Sequence, residues 1–413
     1  MTSADNNAEV FFVNRKSMLD SIAEIIIAGL IASWLCRLIR IPDLIGFLLI
    51  GILFGPWVLG MLNPSFTALS GELRSAALIV ILLRAGFELR KDTLRKVGRQ
   101  ALLLSLIPPV FEAAAVATIC FFITDLSISE GIMLGIILSA VSPAAVVPQM
   151  ISFRSENRGT TKGIPTLVLA ASSLNNILVL IIFSVLMPFL AGNELLGTSG
   201  IVSIPVSVVT GMAAGILIGM LLVKIFDHFN PRATRRVLLI IAVAVVFLRL
   251  EKEIAQWVPF AALLAVMTLG YYILNKRENY AHEISQKLAK IWVLAEMILF
   301  TLVGAEVNPE VALRIGLTGL IIIGGGLLIR SAMTYICLSG SNLTSREKWF
   351  IVISYIPKAT VQAAIGAVPL AMTHSAGAEI ILAVAVLSII ATAPLGAIAM
   401  KIAGEHWLSK DAA

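Results

Sequence analysis

Long apolar runs dominate the chain, separated by short polar connections. A helix that crosses a bilayer needs about 20 consecutive apolar residues. By that measure the pattern predicts thirteen spans: 17–38, 43–61, 72–90, 98–123, 128–152, 163–192, 201–226, 234–250, 257–274, 287–307, 311–338, 346–371 and 378–404. The connections leave no room for a nucleotide-binding or regulatory domain, which argues against an ATP-driven pump on this chain alone. The predicted fold class is an all-α polytopic membrane protein.

Two spans are interrupted. The fifth reads Ser139-Ala-Val-Ser142-Pro143-Ala-Ala-Val-Val-Pro148, and the twelfth Ser354-Tyr-Ile-Pro357-Lys358-Ala-Thr360-Val-Gln362. Proline removes a backbone donor and breaks a helix. In lipid, a broken backbone is tolerated only where it is buried or lines a cavity. Either proline alone reads as a packing kink. Two at corresponding places, in spans an odd number of crossings apart, predict an inverted repeat with two discontinuous helices, as in secondary transporters.

Composition narrows the class. Hydrophobic residues make up 58% of the chain and charged residues 14%, against soluble norms of about 45–50% and about 25%. That excludes a cytosolic enzyme, a secreted disulfide scaffold and a disordered chain, and no enzymatic activity is expected. The net charge of +6 comes from loops and does not indicate a nucleic-acid partner. With thirteen spans, 22 lysines and arginines fall on one side, six on the other and three within spans, accounting for all 31. The positive-inside rule then puts the N-terminus outside and the C-terminus in the cytoplasm, in a plasma (bacterial inner) membrane. Residues 1–16 are polar, so no cleavable signal peptide is expected. Cys36, Cys120 and Cys337 lie in apolar spans and read as small hydrophobes. The four histidines lie near span ends or in loops, so neither a metal cluster nor a cofactor is expected.

Charged residues within spans are functional candidates because they are costly there. They are Glu112, Glu296, Glu306, Arg330 and Lys358. Arg84 and Glu88 lie toward the inner end of the third span, where snorkelling accounts for them. Glu112 precedes Pro143 by 31 residues and Arg330 precedes Pro357 by 27. The two therefore occupy equivalent helices at similar depth, which predicts a Glu112–Arg330 ion pair. A second pair, Glu306–Lys358, is also expected. Such pairs serve either helix cohesion or transport. The sixth span carries Ser172-Ser173-Leu174-Asn175-Asn176, which suits interhelical hydrogen bonding or a cavity between the broken helices. Gly211-Met-Ala-Ala-Gly215 would allow close helix approach.

These segments resemble the monovalent cation/proton antiporters, and within them the NHA-type sodium/proton exchanger branch. The resemblance spans nearly the whole chain. It rests on Ile41-Pro-Asp-Leu-Ile-Gly46 through Gly55-Pro56, Leu83-Arg84-Ala-Gly86, Ser142-Pro143 through Pro148, Lys162-Gly-Ile-Pro165 with Ser172-Ser173, Val303-Gly304-Ala-Glu306, and Pro357-Lys358-Ala-Thr360-Val-Gln362 through Gly366. It implies a homodimer in a lipid membrane, crossed broken helices and elevator-type exchange of Na⁺ or Li⁺ for H⁺. The implied partition is a scaffold of 17–70 and 234–275, a transporting core of 72–192 and 287–404, and a linking helix at 201–227. Tails fall at 1–16 and 405–413. The implied ion site holds Asn175, Asn176, Ser142 and Ser173, with backbone around Ala144 and Thr360. Glu112–Arg330 and Glu306–Lys358 match the branch's charge pairs.

One departure bears on mechanism. Where the branch carries Asp-Asp, this chain has Asn175-Asn176. An amide can offer a carbonyl oxygen to a cation but has no proton to release. Three readings follow: an Asp→Asn replacement that holds one state, a divergent member using another acid with Glu296 the first candidate, or a member that has lost coupling. The second reading extends to K⁺, which uses similar oxygen ligands. The third extends to a non-transporting sensor. An organic-anion transporter using Arg330 and Lys358 as binding charges is a further rival, against which the carboxylate pairing argues.

Overall fold

The computed structural model describes residues 17–39, 41–88, 98–192, 198–254 and 257–410. The tail 1–16, the basic residues Arg90, Lys91, Arg95 and Lys96, the Glu88 side chain and the last three residues of tail 405–413 lie outside the described part. In chain order the helices are α1 (Met18–Leu38), α2 (Asp43–Phe54), α3 (Pro64–Ala68), α4 (Ser70–Glu88), α5 (Arg99–Ile123) and α6 (Ile128–Leu138). Then come α7 (Pro143–Ser155), α8 (Ile164–Gly192), α9 (Thr198–Phe229), α10 (Ala233–Ile254), α11 (Ala262–Lys276) and α12 (Glu278–Glu306). The chain closes with α13 (Pro309–Cys337), α14 (Ser345–Ser354), α15 (Thr360–Gly366), α16 (Val368–Thr373) and α17 (Ala376–Trp407). Among the described residues, seven of them are long and apolar enough to cross a membrane by length and composition. Their outer faces stay apolar: on α13, Leu313, Leu317, Leu320, Ile321 and Leu328 are exposed along one side. Water would penalise such a stripe, whereas lipid does not.

The helices pack in two groups. In one, α5 packs on α6, α8 and α13, and α17 packs on α13, α14 and α15. In the other, α2 packs on α1 and α12, and α11 packs on α4, α9 and α10. α4 packs on α11, and α12 packs on α2. The reason is backbone contact through glycine. A Cβ on Gly51 would collide with the Thr301 carbonyl oxygen, and one on Gly304 with that of Leu48. A Cβ on Gly86 would meet the Met267 carbonyl. These small residues bring α2 against α12, and α4 against α11. Gly211 and Gly215 behave likewise, facing the carbonyls of Ala261, just ahead of α11, and of Ala265 within it, in the same chain. The small-residue stripe is spent inside the molecule. α2 also ends seven residues short of its expected span, because Gly55 leaves the helix in an extended conformation ahead of Pro56.

Both interrupted spans are broken helices, and both start alike. Ser127 and Glu130 form a capping box at α6, and Thr344 and Glu347 form one at α14. In each, the hydroxyl accepts the N3 amide and the glutamate accepts the cap amide, satisfying two otherwise orphaned donors. After α6 the chain leaves the helix at Ser139, and α7 starts at Pro143 behind the extended Ser142 cap. After α14 it passes through Pro357 and Lys358 before α15. The two breaks touch: Ser142 N–H donates to the Pro357 carbonyl at 2.9 Å.

Candidate functional site

The crossing of the two breaks sits against α5, α8 and α13. Broken helices leave carbonyls at the end of the first half with no intrahelical partner. Here long side chains fill that need. Gln362 Nε2 donates to the Ala140 carbonyl at 2.7 Å and to the Ile137 carbonyl at 3.3 Å. Its Oε1 accepts the Ala359 N–H at 2.8 Å, which starts α15. Arg330 Nη1 donates to the Ser139 carbonyl at 2.7 Å, and Lys358 Nζ donates to the Leu138 carbonyl. The Lys358 N–H is held by Thr392 Oγ1 at 2.9 Å. The end of α6 therefore faces two cations and an amide.

One carboxylate serves both cations. Glu112 lies against Arg330 through one oxygen and accepts Lys358 Nζ through the other at 2.6 Å. All three side chains are about 1% exposed. The expected Glu112–Arg330 contact is thus present, whereas the expected Glu306–Lys358 pair is not. Glu306, at the end of α12, accepts the Ser70 hydroxyl at 2.6 Å. Lys358 lies in the break, where the carbonyl end of α6 and the Glu112 oxygen draw its ammonium inward. At ordinary ionisation the cluster carries one negative and two positive charges.

The Asn pair borders this cluster. Asn175 Oδ1 accepts Arg330 Nη2 at 3.1 Å, and Asn176 Oδ1 accepts the Val141 N–H of the first break at 2.9 Å. Guanidinium and backbone N–H groups can only donate, which fixes both amide oxygens toward them. Both amide nitrogens, Asn175 Nδ2 and Asn176 Nδ2, are buried without a protein partner. Asn176 lines a cavity of about 410 Å³ between the two helix groups. Ser173 of α8 and Thr360 of α15 line it from one side, and Arg84 of α4, Trp292 and Glu296 of α12 from the other. Arg84 lies over the Trp292 ring, 5.8 Å from its centroid.

The structure thus brings together Asn175, Asn176, Glu112, Arg330 and Lys358, and places Ser173, Thr360 and Glu296 around the adjoining cavity. Ser142 is fully buried, with its hydroxyl spent on the Ala145 N–H that caps α7. Glu306 lies apart. Sequence reasoning missed the roles of Gln362, Thr392, Arg84 and Trp292. The S/T-x-x-E boxes ahead of both breaks could have fixed the repeat register. That register puts Gln362 just beyond the break.

Comparisons with known proteins agree with this architecture. A family model described as "Sodium/hydrogen exchanger, transmembrane" matches residues 25–402. Sodium/hydrogen exchanger 9B2 of Xenopus tropicalis is 34% identical over 364 residues, covering 83% of this chain and 65% of that protein. The 9B2 protein of Mus musculus is 33% identical over 393 residues, covering 90% and 69%. The chain therefore spans about two thirds of the length of these relatives. In structure, the sodium proton antiporter MjNhaP1 from Methanocaldococcus jannaschii superposes with a TM-score of 0.75 at 19% identity, covering 94% of this chain and 98% of that one. At that identity the likeness bears on the fold alone.

Proposed function

Since the chain belongs to the sodium/hydrogen exchanger family, we propose that it is a secondary transporter whose ion site lies where the two broken helices cross, and that Asn175 and Asn176 leave exchange of Na⁺ or Li⁺ for H⁺ weak or absent. The observation that carries this reading is the orientation of the two amides. In exchange at a single carboxylate, a cation and a proton compete for the same oxygen. Here both amide oxygens already accept protein donors, and both NH₂ groups are buried without a protein acceptor. An N–H repels a cation, and an amide releases no proton near neutral pH. An aspartate at either position would keep the existing hydrogen bond and present a second, charged oxygen.

The rest of the cluster suits a transporter of this family. Glu112 neutralises charge at the crossing, while Lys358, Arg330 and Gln362 satisfy carbonyls that would otherwise be stranded in lipid. The two helix groups, with the cavity between them, match alternating access in which the group containing the crossing slides against the group of α2, α4, α11 and α12. Thirteen crossings, a homodimer, and a C-terminal end on the cytoplasmic face of a plasma or inner membrane complete the proposal. Loop lysines and arginines support that orientation.

A second reading has a specific observation in its favour. Glu296 lines the same cavity as Asn176, Ser173 and Thr360. It would act as the coupling acid in a divergent exchanger, for Na⁺, Li⁺ or K⁺. One experiment separates the two: proton flux driven by a cation gradient in proteoliposomes, read with a pH-sensitive dye. The expected result is silence from this chain and exchange from Asn175→Asp/Asn176→Asp. Exchange by this chain that vanishes in Glu296→Gln would favour the second reading. Silence from both chains would overturn the site.

A further inference from the structure

We infer that Lys162 is a positioning residue for the crossing: its ammonium, bound to Glu347, closes a ring of contacts that runs through both breaks and holds them together. The inference takes from the proposed function only the place of the ion site, and its test needs no transport. Lys162 Nζ donates to both Glu347 oxygens, at 2.8 and 3.0 Å. The Glu347 side chain is 5% exposed, which spares the pair much of the screening that weakens exposed ones. Glu347 also completes the capping box of α14, accepting the Thr344 N–H at 2.7 Å. Lys162 lies just ahead of α8, and Gly163 between them has φ +66°, a left-handed turn that glycine adopts without strain. The clasp thus joins the start of the helix after the first broken one to the start of the second broken one.

Both helices lead from the clasp to the crossing. Along α8, Asn176 holds the Val141 N–H of the first break at 2.9 Å. The next residue, Ser142, donates its N–H to the Pro357 carbonyl of the second break. Pro357 follows α14, which runs back to Glu347. The ring is closed, and each helical side of it is about 15–20 Å long. A second ring mirrors it at the other end of the crossing. Ser375, the cap of α17, donates its hydroxyl to Glu130 in the capping box of α6 at 3.2 Å. Thr392 of α17 holds the Lys358 N–H of the second break at 2.9 Å. Here too a left-handed residue, His374 at φ +50°, stands just ahead of the helix. The two rings share the Ser142–Pro357 bond. They differ in their clasps: a hydroxyl meets a carboxylate at Ser375, whereas two charges meet at Lys162, and the charged contact is the stronger. Through Asn176 and Pro357, Lys162 therefore sets the spacing of the breaks.

The test is amide hydrogen exchange, read by mass spectrometry on the purified full chain in detergent. Lys162→Met removes the ammonium and keeps a stem of similar length. Glu347→Gln removes the charge and keeps an oxygen for the Thr344 cap. Either should speed exchange at the breaks, residues 139–142 and 357–359, by about fivefold. The double variant should go no further, since both substitutions open the same ring. Lys162→Arg keeps the charge and should stay within about twofold of the parent. If one single variant fails to fold, the other carries the test. Faster exchange confined to 160–164 and 344–350 overturns the inference, because the clasp then braces only its own loops. So does an unchanged pattern, and so does a double variant whose effect multiplies those of the singles. None of these touches the ion site. Conversely, a silent Asn175→Asp/Asn176→Asp chain in the flux assay would overturn the site and leave the ring standing.

Discussion

Glu112 holds two cations with one side chain, and that sharing sets what each substitution does. Removing a partner from a buried ion cluster costs about 3–5 kcal/mol, because the remaining charge is stranded. Glu112→Gln would strand two charges, whereas Lys358→Met would leave a balanced Glu112–Arg330 pair. Glu112→Gln should therefore lower the detergent-solubilised Tm far more than Lys358→Met, as read by thermal unfolding. Equal losses would argue against the shared-acid arrangement. Part of this cluster was legible in the sequence. Comparable offsets from Pro143 and Pro357 paired Glu112 with Arg330. The partner of Lys358 was not legible, because the sequence places Glu306 and Glu112 in the membrane alike without saying which helix face turns inward. The amide orientation of Asn176 was equally hidden, since it depends on a backbone N–H freed by a break in another helix.

Among elements, the two breaks were legible because proline and lysine have few places in an apolar span. The packing partners of α4 and α12 were not. Apolar helices in lipid lack a polar face to mark their outside, and the small residues that decide α2–α12 contact are scattered glycines. Those glycines make a sharp prediction. Gly51 and Gly304 oppose each other's helix backbones, where no side chain can move aside. Gly304→Ala should destabilise the protein by about 1–3 kcal/mol, the usual cost of overpacking. Gly316→Ala, with open space around its Cβ, should cost nothing or stabilise α13 slightly. Thermal unfolding of the two variants side by side checks this contrast.

For the molecule as a whole, the loop charges give an orientation that labelling can verify. Asp125, between α5 and α6, and Asn342, between α13 and α14, are exposed and belong to opposite sides in the thirteen-span reading. In intact cells, a membrane-impermeant maleimide should label Asp125→Cys and spare Asn342→Cys until the membrane is opened. Labelling of both from outside would break the thirteen-span alternation.

The two halves of the core are also unequal in charge. The acid of the buried cluster comes from α5, while both bases come from α13 and the second break. During synthesis Glu112 enters the membrane more than two hundred residues ahead of Arg330. The late half brings a guanidinium that keeps its charge, and the acid that pairs with it has been made first. If the chain were divided between α8 and α13, the second fragment would depend on the first for its place in the bilayer.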